Sequence, residues 1–347
     1  MSTGKQAYAR SAPASAMIEM ARGYQVSQAL FVAATLGIAD LLAHGPMPSD
    51  ALAEATSTDP AALRRLLRVL ASRGVLIAFG EHDFGLTSFG QLLRSDLAGS
   101  VRDQVLLWGH PMQWEPWGDL LHSVQTGRTA FEKKFGMGHW EYLAQNPDAG
   151  EMFKAAMAAH PSHLEVPIAY DFSRHRSIVD LGGGSGQLLA EILRVNASAR
   201  GILLDRPGVV AGAERTLEAA GVSDRCVVVG GDFLVDMPSG ADVYILSNVL
   251  MDWDDRTATL LLRKCREMMG ERGALLVVER LIPADNRPSL SQLGDLMGLV
   301  ITGGRIRSEP EFNRLFAAAD LECTGRLQTA AGYSILEAQR CCEERTR

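Results

Sequence analysis

The stretch Ser177-Ile-Val-Asp-Leu-Gly-Gly-Gly-Ser-Gly186 decides the fold. Its apolar residues Ile178, Val179 and Leu181 predict a buried strand, and a helical pattern of leucine and isoleucine begins directly after the glycines. Strand, glycine turn and helix in this order can seat a nucleotide-like ligand, because glycines admit close backbone approach and a helix N-terminus supplies unpaired N–H groups. For this stretch alone, an ordinary tight turn is the alternative, since glycine-rich turns between strands and helices are common.

The region after Arg174 alternates between strand and helix patterns. We predict strands at 177–181, 201–205, 225–229, 241–247 and 274–280, and helices at about 186–194, 207–220, 256–269 and 309–319. Segments 320–326 and 332–338 are predicted to close the sheet as an antiparallel pair. Strands separated by helices indicate an α/β fold with a doubly wound, mostly parallel sheet.

Composition restricts the class of protein. The chain has 347 residues, of which 47% are hydrophobic and 22% charged, as in an ordinary globular protein with room for two or three domains. A net charge of −7 argues against nucleic acid or an anionic membrane as a partner. The five cysteines lack metal-ligand spacing, and no apolar run approaches about 18 residues. We therefore expect a cytoplasmic enzyme that binds no metal.

The N-terminal part predicts a helical module followed by a small hairpin. Residues 17–42 are predicted to be helical, with breaks near Gly23 and Gly37, and apolar on more than one side, which indicates burial against a second subunit. Helices beginning at Ser49 and Asp59 precede two short strands, an arrangement typical of a winged helix. The module could bind DNA through the arginines at 64, 65, 68 and 73 or serve dimer contacts, and the acidic chain favours the second.

Residues 101–165 are predicted to be helical and hold four of the five tryptophans. Their methionines and phenylalanines are explained most simply as core residues. Because soft and aromatic side chains also line apolar ligand sites, Phe153 and Met157 are candidates for the wall of a substrate pocket. His160 follows them closely.

Polar residues follow successive strands of the predicted sheet. Asp205 closes the second strand, 21 residues beyond Gly184, where a carboxylate can accept hydrogen bonds from a ribose hydroxyl pair. Gln187 stands where a dinucleotide site would have its third glycine, so no pyrophosphate needs to be bound. Asp232 and Phe233 after the third strand could bind an adenine base, or act as a helix cap and a core aromatic residue. Ligands of open α/β sheets sit at this edge.

Taken with Ser247 and Trp253 beside the end of the fourth strand, these residues resemble the class I S-adenosylmethionine-dependent O-methyltransferases of the acetylserotonin, caffeate and polyketide-tailoring type. The resemblance covers nearly the whole chain. The matching stretches are Val179–Gly186, Leu204–Pro207, Gly231–Phe233, Val249–Asp255, Leu275–Glu279, and Gly303–Ser308 with Glu311-Phe312.

The resemblance implies three domains, a cofactor and an oligomeric state. It implies a winged-helix dimerisation domain over 1–100, a helical substrate-pocket segment over 101–170 and a Rossmann-like catalytic domain with a seven-stranded sheet over 171–347. It also implies a homodimer that binds S-adenosylmethionine. The implied cofactor residues are Gly182, Gly183 and Gly184 for the methionine part, Asp205 for the ribose, Asp232 and Phe233 for the adenine, and Arg206, Ser247 and Trp253 beside the cofactor.

The sequence departs from the family pattern at the catalytic base. Members of the family carry a histidine base immediately before the Asp-Trp pair, and this position is Met251 here. Glu279 matches one of the two carboxylates that hold the histidine, whereas the position of the other is Ile306. A thioether or an alkyl side chain cannot accept a proton.

Three interpretations remain open. The enzyme transfers methyl by proximity to an amine, an acidic phenol or an activated carbon, or it recruits Asp252, Glu279 or His160 as another base, or it uses the cofactor in a reaction without methyl transfer. Met251, Met297 and Ile306 indicate, together with Phe153 and Met157, a bulky aromatic or polycyclic substrate, although simple wall packing is the alternative. As a non-enzymatic alternative, the chain could be an inactive structural partner, but its intact glycine turn argues against this.

Overall fold

The computed structural model describes residues 13–97, 99–158, 162–285 and 287–341. They form two compact units, with the division between Trp114 and Glu115. The helices that run from Glu115 to Ala169 belong to the second unit. The three-domain division at residues 100 and 170 stays a prediction beside this two-unit arrangement.

The first unit combines helices with a three-stranded sheet. Its helical elements are α1 (13–21), α2 (Gly23–Thr35), α3 (Ile38–Leu41), α4 (Ser49–Ala55), α5 (Pro60–Ser72), α6 (Arg102–Gly109) and α7 (Pro111–Trp114), with 3₁₀ turns at Leu42–His44 and Gly90–Leu93. Its strands are β1 (Met47–Pro48), β2 (Leu76–Phe79) and β3 (Asp83–Leu86), in the order β1-β3-β2. The predicted order of two helices and a hairpin is therefore present.

Helix α5 shows why this unit folds as its sequence indicates. The Asp59 carboxylate accepts the N–H of Ala62 at 2.7 Å, and Pro60 occupies the first turn, where its missing N–H costs nothing. Its leucine face is buried: Leu63, Leu67 and Leu70. Among the described residues, no single helix is long and apolar enough to cross a bilayer, and one bent pair, Gly23–Thr35 with Ile38–His44, passes on length and composition alone.

The second unit is built on one large sheet. Its α-helices are α8 (Leu120–Thr126), α9 (Ala130–Phe135), α10 (His139–Gln145), α11 (Pro147–Ala158), α12 (Ser162–Ala169), α13 (Gln187–Val195), α14 (Pro207–Val210), α15 (Ala213–Ala219), α16 (Asp255–Met268), α17 (Leu290–Ile301) and α18 (Glu309–Ala318). Its strands are β4 (Ser177–Leu181), β5 (Arg200–Asp205), β6 (Cys226–Gly230), β7 (Val243–Ser247), β8 (Ala274–Glu279), β9 (Leu321–Gln328) and β10 (Ser334–Arg340). Short 3₁₀ turns lie at Glu115–Asp119, Ser223–Arg225 and Leu250–Asp252.

The sheet has the order β6-β5-β4-β7-β8-β10-β9. The first five strands are parallel, and β10 pairs antiparallel with both β8 and β9. Apolar clusters cover both faces, and all six residues of β8 are buried, as expected for a strand covered on both sides. The predicted Rossmann-like fold with a closing antiparallel pair is confirmed.

Two helices of this unit differ from the prediction. The single helix predicted over 207–220 is two helices, α14 and α15, because Ala211 and Gly212 between them have non-helical backbone angles. Helix α17 was not predicted, since glycines at 294 and 298 weaken its helical pattern. Both glycines prove to be contact points for a neighbouring loop.

Candidate functional site

The glycine turn between β4 and α13 leaves room for a ligand. Gly182 and Gly184 have φ values of +71° and +62°, a region that side chains other than glycine's rarely adopt. No atom lies within 4 Å of the place a Gly184 Cβ would occupy, whereas a Cβ on Gly183 would lie 2.4 Å from the Asp180 carboxylate. The turn therefore presents open backbone on one side and is tightly packed on the other.

Asp205 connects the end of β5 to this turn. Its Oδ2 accepts the N–H of Gly184 at 2.9 Å, and its Oδ1 accepts the N–H of Arg206 at 2.7 Å. Burial raises the pKa of this carboxyl above its usual range. Because each carboxylate oxygen has a second acceptor direction, Asp205 can also accept from a hydroxyl pair.

Asp180 is a site residue to which the sequence analysis assigned no role. It lies in β4, is fully buried, and neither of its carboxyl oxygens has a hydrogen-bond partner in the described structure. Burial, and after it the charge of Asp205, raises its pKa to about 7. The signal was present in the sequence, because a carboxylate inside an apolar strand needs an explanation.

Arg206 links the end of β5 to the aromatic helices. Its guanidinium lies 5.1 Å from the centre of the Trp140 ring, and that ring packs edge-on against Phe153 at 5.6 Å. This places the pocket candidate Phe153 near Arg206, one of the predicted cofactor residues, with Met157 half-buried one turn further along α11. His160, a predicted base, lies outside the described residues, and its role stays a prediction.

His139 lies at the start of α10, beside Trp140. It is buried, its Nδ1 has no partner in the described part of the chain, and its ring contacts Phe131 and Phe153 edge-on. Burial, and after it the charge of Arg206, lowers its pKa to about 4, so this imidazole is neutral at physiological pH. No spacing in the sequence distinguished it from the other histidines.

The residues predicted to bind the adenine lie beside the glycine turn. A ring carbon of Phe233 is 3.7 Å from the Cβ position of Gly182. The exposed Asp232 accepts the N–H of Leu234 at 2.8 Å, so it closes a turn, as the alternative interpretation expected, and still has a free oxygen direction. Ser247 ends β7, and both it and Trp253 are half-buried.

The turn over 250–252 carries the position that lacks the histidine. The N–H of Met251 donates to Glu279 Oε1 at 2.8 Å, while Glu279 Oε2 is buried with no partner among the described residues. Burial raises the pKa of Glu279 to about 8 and that of the half-buried Asp252 to about 7. The structure therefore places the two candidate bases next to each other.

Arg307 fixes this turn at both ends. Its side chain is fully buried and donates to the carbonyl of Leu250 at 2.8 Å, the carbonyl of Trp253 at 2.7 Å and the carboxylate of Asp255 at 2.9 Å. The sequence analysis quoted its motif without a role for it. No local sequence pattern indicates that Arg307 contacts residues more than 50 positions earlier in the chain.

The segment 303–306 packs between the turn and α17. A Cβ on Gly304 would lie 2.1 Å from the carbonyl oxygen of Met251. Ile306 is 4% exposed, and its N–H donates to the carboxylate of Asp295 at 2.8 Å. The half-buried Met297 lies on the same helix as Asp295. Ile306 thus fills the wall beside the turn with an apolar side chain where the family pattern has a carboxylate.

Across the described residues, no group of three or more histidine, cysteine, aspartate and glutamate side chains is placed to hold a metal ion.

Two protein-family models match the chain. The O-methyltransferase domain matches residues 117–322, and the O-methyltransferase dimerisation domain matches residues 18–96. Together the two matches span both units of the structure.

Similar proteins cover nearly the full length. Phenazine O-methyltransferase PhzM of Lysobacter antibioticus is 44% identical over 94% of this chain and 96% of its own. Mitomycin biosynthesis 6-O-methyltransferase of Streptomyces lavendulae is 38% identical over 96% of each chain. Phenazine-1-carboxylate N-methyltransferase of Pseudomonas aeruginosa is 36% identical over 85% of this chain and 88% of its own.

Two solved structures of similar proteins also match nearly the full chain. The crystal structure of LaPhzM has a TM-score of 0.89 at 44% identity, covering 94% of this chain and 99% of that one. Human N-acetylserotonin methyltransferase in complex with S-adenosylmethionine has a TM-score of 0.87 at 27% identity, covering 95% of this chain and 98% of that one.

Proposed function

The chain belongs to the O-methyltransferase family, and on that premise we propose that it methylates a small aromatic or polycyclic acceptor without a histidine general base. It is an S-adenosylmethionine-dependent methyltransferase. Two of the similar proteins named above act on phenazines, one at oxygen and one at nitrogen. The acceptor atom and the handling of its proton are the parts that we propose.

One observation carries the proposal. Glu279, the carboxylate that matches a support of the family's histidine, has a buried Oε2 without a partner in the described structure and accepts only main-chain N–H at Oε1. Met251 and Ile306 fill the two other positions of the base and its support with apolar side chains. The site therefore positions an acceptor and leaves it to react through its own nucleophilicity.

The residues present fit the cofactor. The open side of the turn at Gly184, the carboxylate of Asp205 beside it and the Phe233 ring next to Gly182 match the methionine, ribose and adenine parts. When bound, S-adenosylmethionine supplies an electrophilic methyl group on a sulfonium sulfur. The protein holds the acceptor in line with that methyl and excludes water by the apolar wall of Met251, Met297 and Ile306.

Positioning can compensate for the missing base. Losing a general base costs on the order of 10²–10⁴-fold in rate. Effective molarities for well-oriented reactants reach about 10⁵–10⁸ M. An acceptor that is nucleophilic without losing a proton first can therefore react at a useful rate.

Transfer of a labelled methyl group to a panel of acceptors tests the proposal. The panel contains phenols of different acidity, aromatic amines and ring-nitrogen heterocycles, each incubated with CD₃-labelled S-adenosylmethionine and analysed by mass spectrometry. We expect label in at least one acceptor that needs no strong base. Label confined to weakly acidic phenols would contradict the proposal, and a changed acceptor without label would favour the non-methylating alternative.

Restoring the histidine is expected to change the rate of the reaction little. In the double variant Met251→His with Ile306→Glu, we expect less than about a threefold change in kcat on the native acceptor, because the wild-type reaction does not wait for proton removal. Steady-state kinetics measures this. A gain of 10²-fold or more would mean that the wild type is limited by its missing base.

We also propose a homodimer formed through the first unit. Support comes from the dimerisation-domain match and from apolar side chains that α1 and α2 leave exposed within one protomer, among them Ile18, Met20 and Tyr24. Light scattering coupled to size-exclusion chromatography tests it. A cytoplasmic location stays a prediction.

A further inference from the structure

The proposed function leaves two carboxyl groups of the site, Asp252 and Glu279, without a role. Glu279 is 1% exposed and has one oxygen without a partner in the described structure. Asp252, whose charge acts on Glu279, is half-buried. A buried polar group without a partner is costly, so its persistence at a site points to a ligand that pairs with it.

Two arginines act on this carboxyl pair, and each of them is also engaged elsewhere. Arg307 faces Glu279 from the loop after α17, but it is paired with Asp255 at 2.9 Å. Arg305 is paired with Asp255 at 3.3 Å and with Glu311 at 2.5 Å. Arg206 acts on Asp252 from the end of β5, but it lies exposed against Trp140, where water screens it.

Both carboxyls of the pair hold their protons more tightly than ordinary carboxyls do. Burial raises the pKa of Asp252 to about 7 and that of Glu279 to about 8, and the charge of Asp252 contributes to the second value. A coupled pair of carboxyls loses its protons in two steps, and between the two steps the pair carries one negative charge. In a partly buried site, this charge acts more strongly on a nearby cation than it would in water.

The sheet order places the charge on the side away from the ribose. The glycine turn follows β4 and Asp205 ends β5, whereas the carboxyl pair follows β7 and ends β8, on the opposite side of β4. Since strands are about 4.8 Å apart, the end of β8 lies roughly 10 Å across the sheet from the glycine turn. The pair therefore lies on the other side of the glycine turn from Asp205, the residue assigned to the ribose.

We propose that the acceptor is an azine-type aromatic ring nitrogen, and that Asp252 and Glu279 stabilise the positive charge that methylation places on it. This inference rests on the proposed function. The nitrogen lone pair forms the bond to the methyl carbon while the carbon–sulfur bond breaks and leaves its electron pair on sulfur. No proton is released, because an azine nitrogen carries none, and the products are an N-methylated cation and a neutral thioether. Such an acceptor needs a negative charge and no base, which is what the site contains.

Binding of the product cation tests the charge directly. Calorimetry in the presence of S-adenosylhomocysteine compares the N-methylphenazinium cation with neutral phenazine, a pair of nearly equal shape. We expect the cation to bind at least tenfold more tightly, and Asp252→Asn to abolish most of this preference. Glu271→Gln is the matched control, since Glu271 lies exposed before β8 at the opposite edge of the sheet. Should Asp252→Asn fail to fold, Glu279→Gln replaces it, because the amide oxygen can still accept the Met251 N–H.

Activity provides the second readout. With CD₃-labelled cofactor and azine acceptors, we expect label on the ring nitrogen and a roughly tenfold lower kcat in Asp252→Asn, with the Kd for S-adenosylmethionine changed less than twofold. Label only on carbon, on an exocyclic amine or on the oxygen of an acidic phenol would overturn this inference and leave the proposed function intact. Equal affinity for the cation and neutral phenazine would also overturn it. So would a selective loss of affinity for S-adenosylmethionine over S-adenosylhomocysteine in Asp252→Asn, because the pair would then serve the sulfonium. Label in no acceptor would contradict the proposed function itself.

Discussion

Asp205→Ala is expected to weaken S-adenosylmethionine binding about 100-fold. A hydrogen bond to a charged group contributes about 1.5–3 kcal/mol, so loss of the bonds to a ribose hydroxyl pair amounts to roughly 3 kcal/mol, or a factor of about 100 in Kd. The substitution also removes the acceptor that holds the N–H of Gly184 at 2.9 Å, which frees the glycine turn. Calorimetric titration with S-adenosylhomocysteine measures the loss without any acceptor.

Two further variants separate the ribose contact from general damage. Asp205→Asn keeps one carbonyl acceptor, and we expect about a tenfold loss in affinity. Asp224→Ala removes an exposed acid before β6, at the far edge of the sheet, and should leave Kd unchanged. If Asp205→Ala bound the cofactor as tightly as the wild type while remaining folded, the assignment of this residue to the ribose would be wrong.

The parts of the site that could be predicted follow from local patterns. Ser177–Gly186 has a strand period, a glycine turn and a helical period in sequence, and the structure shows β4, the turn and α13 at those positions. The ends of parallel strands meet at one edge, so the sequence predicts Asp205 beside the turn, where its carboxylate accepts the N–H of Gly184. Periodicity and topology alone determine these placements.

The parts that could not be predicted depend on contacts between distant segments. Arg307 donates to the carbonyl oxygens of Leu250 and Trp253. These bonds form only in the folded chain, where β8 and α17 bring the two segments together. The unpaired oxygen of Glu279 likewise depends on packing, because the side chain of Met251 has no hydrogen-bond donor to pair with it. Sequence reasoning identified the missing histidine, but it could not show that the carboxyl left behind is buried beside a second one.

Gly304→Ala is expected to lower kcat by about 100-fold while cofactor binding changes little. The added Cβ would lie 2.1 Å from the carbonyl oxygen of Met251 and 2.5 Å from the carbonyl carbon of Asp252, both of them backbone atoms. Rotation of a side chain cannot relieve such a clash, so the 250–252 turn must shift. A shift of about 1 Å at a reacting site can cost on the order of 10²-fold in rate.

The effect should be confined to the acceptor side of the site. The glycine turn and Asp205 lie at the ends of β4 and β5, so the Kd for S-adenosylhomocysteine should stay within about threefold of the wild-type value. Overpacking at position 304 should lower the free energy of unfolding by about 1–3 kcal/mol. Gly270→Ala is the matched control, because no atom lies within 4 Å of its Cβ position and its φ is not positive. Steady-state kinetics on the acceptor identified by labelling, with thermal unfolding alongside, checks both statements. An unchanged kcat in a folded Gly304→Ala variant would show that the position of Met251 and Asp252 does not control the reaction, and the carboxyl pair would then lose its assigned part in it.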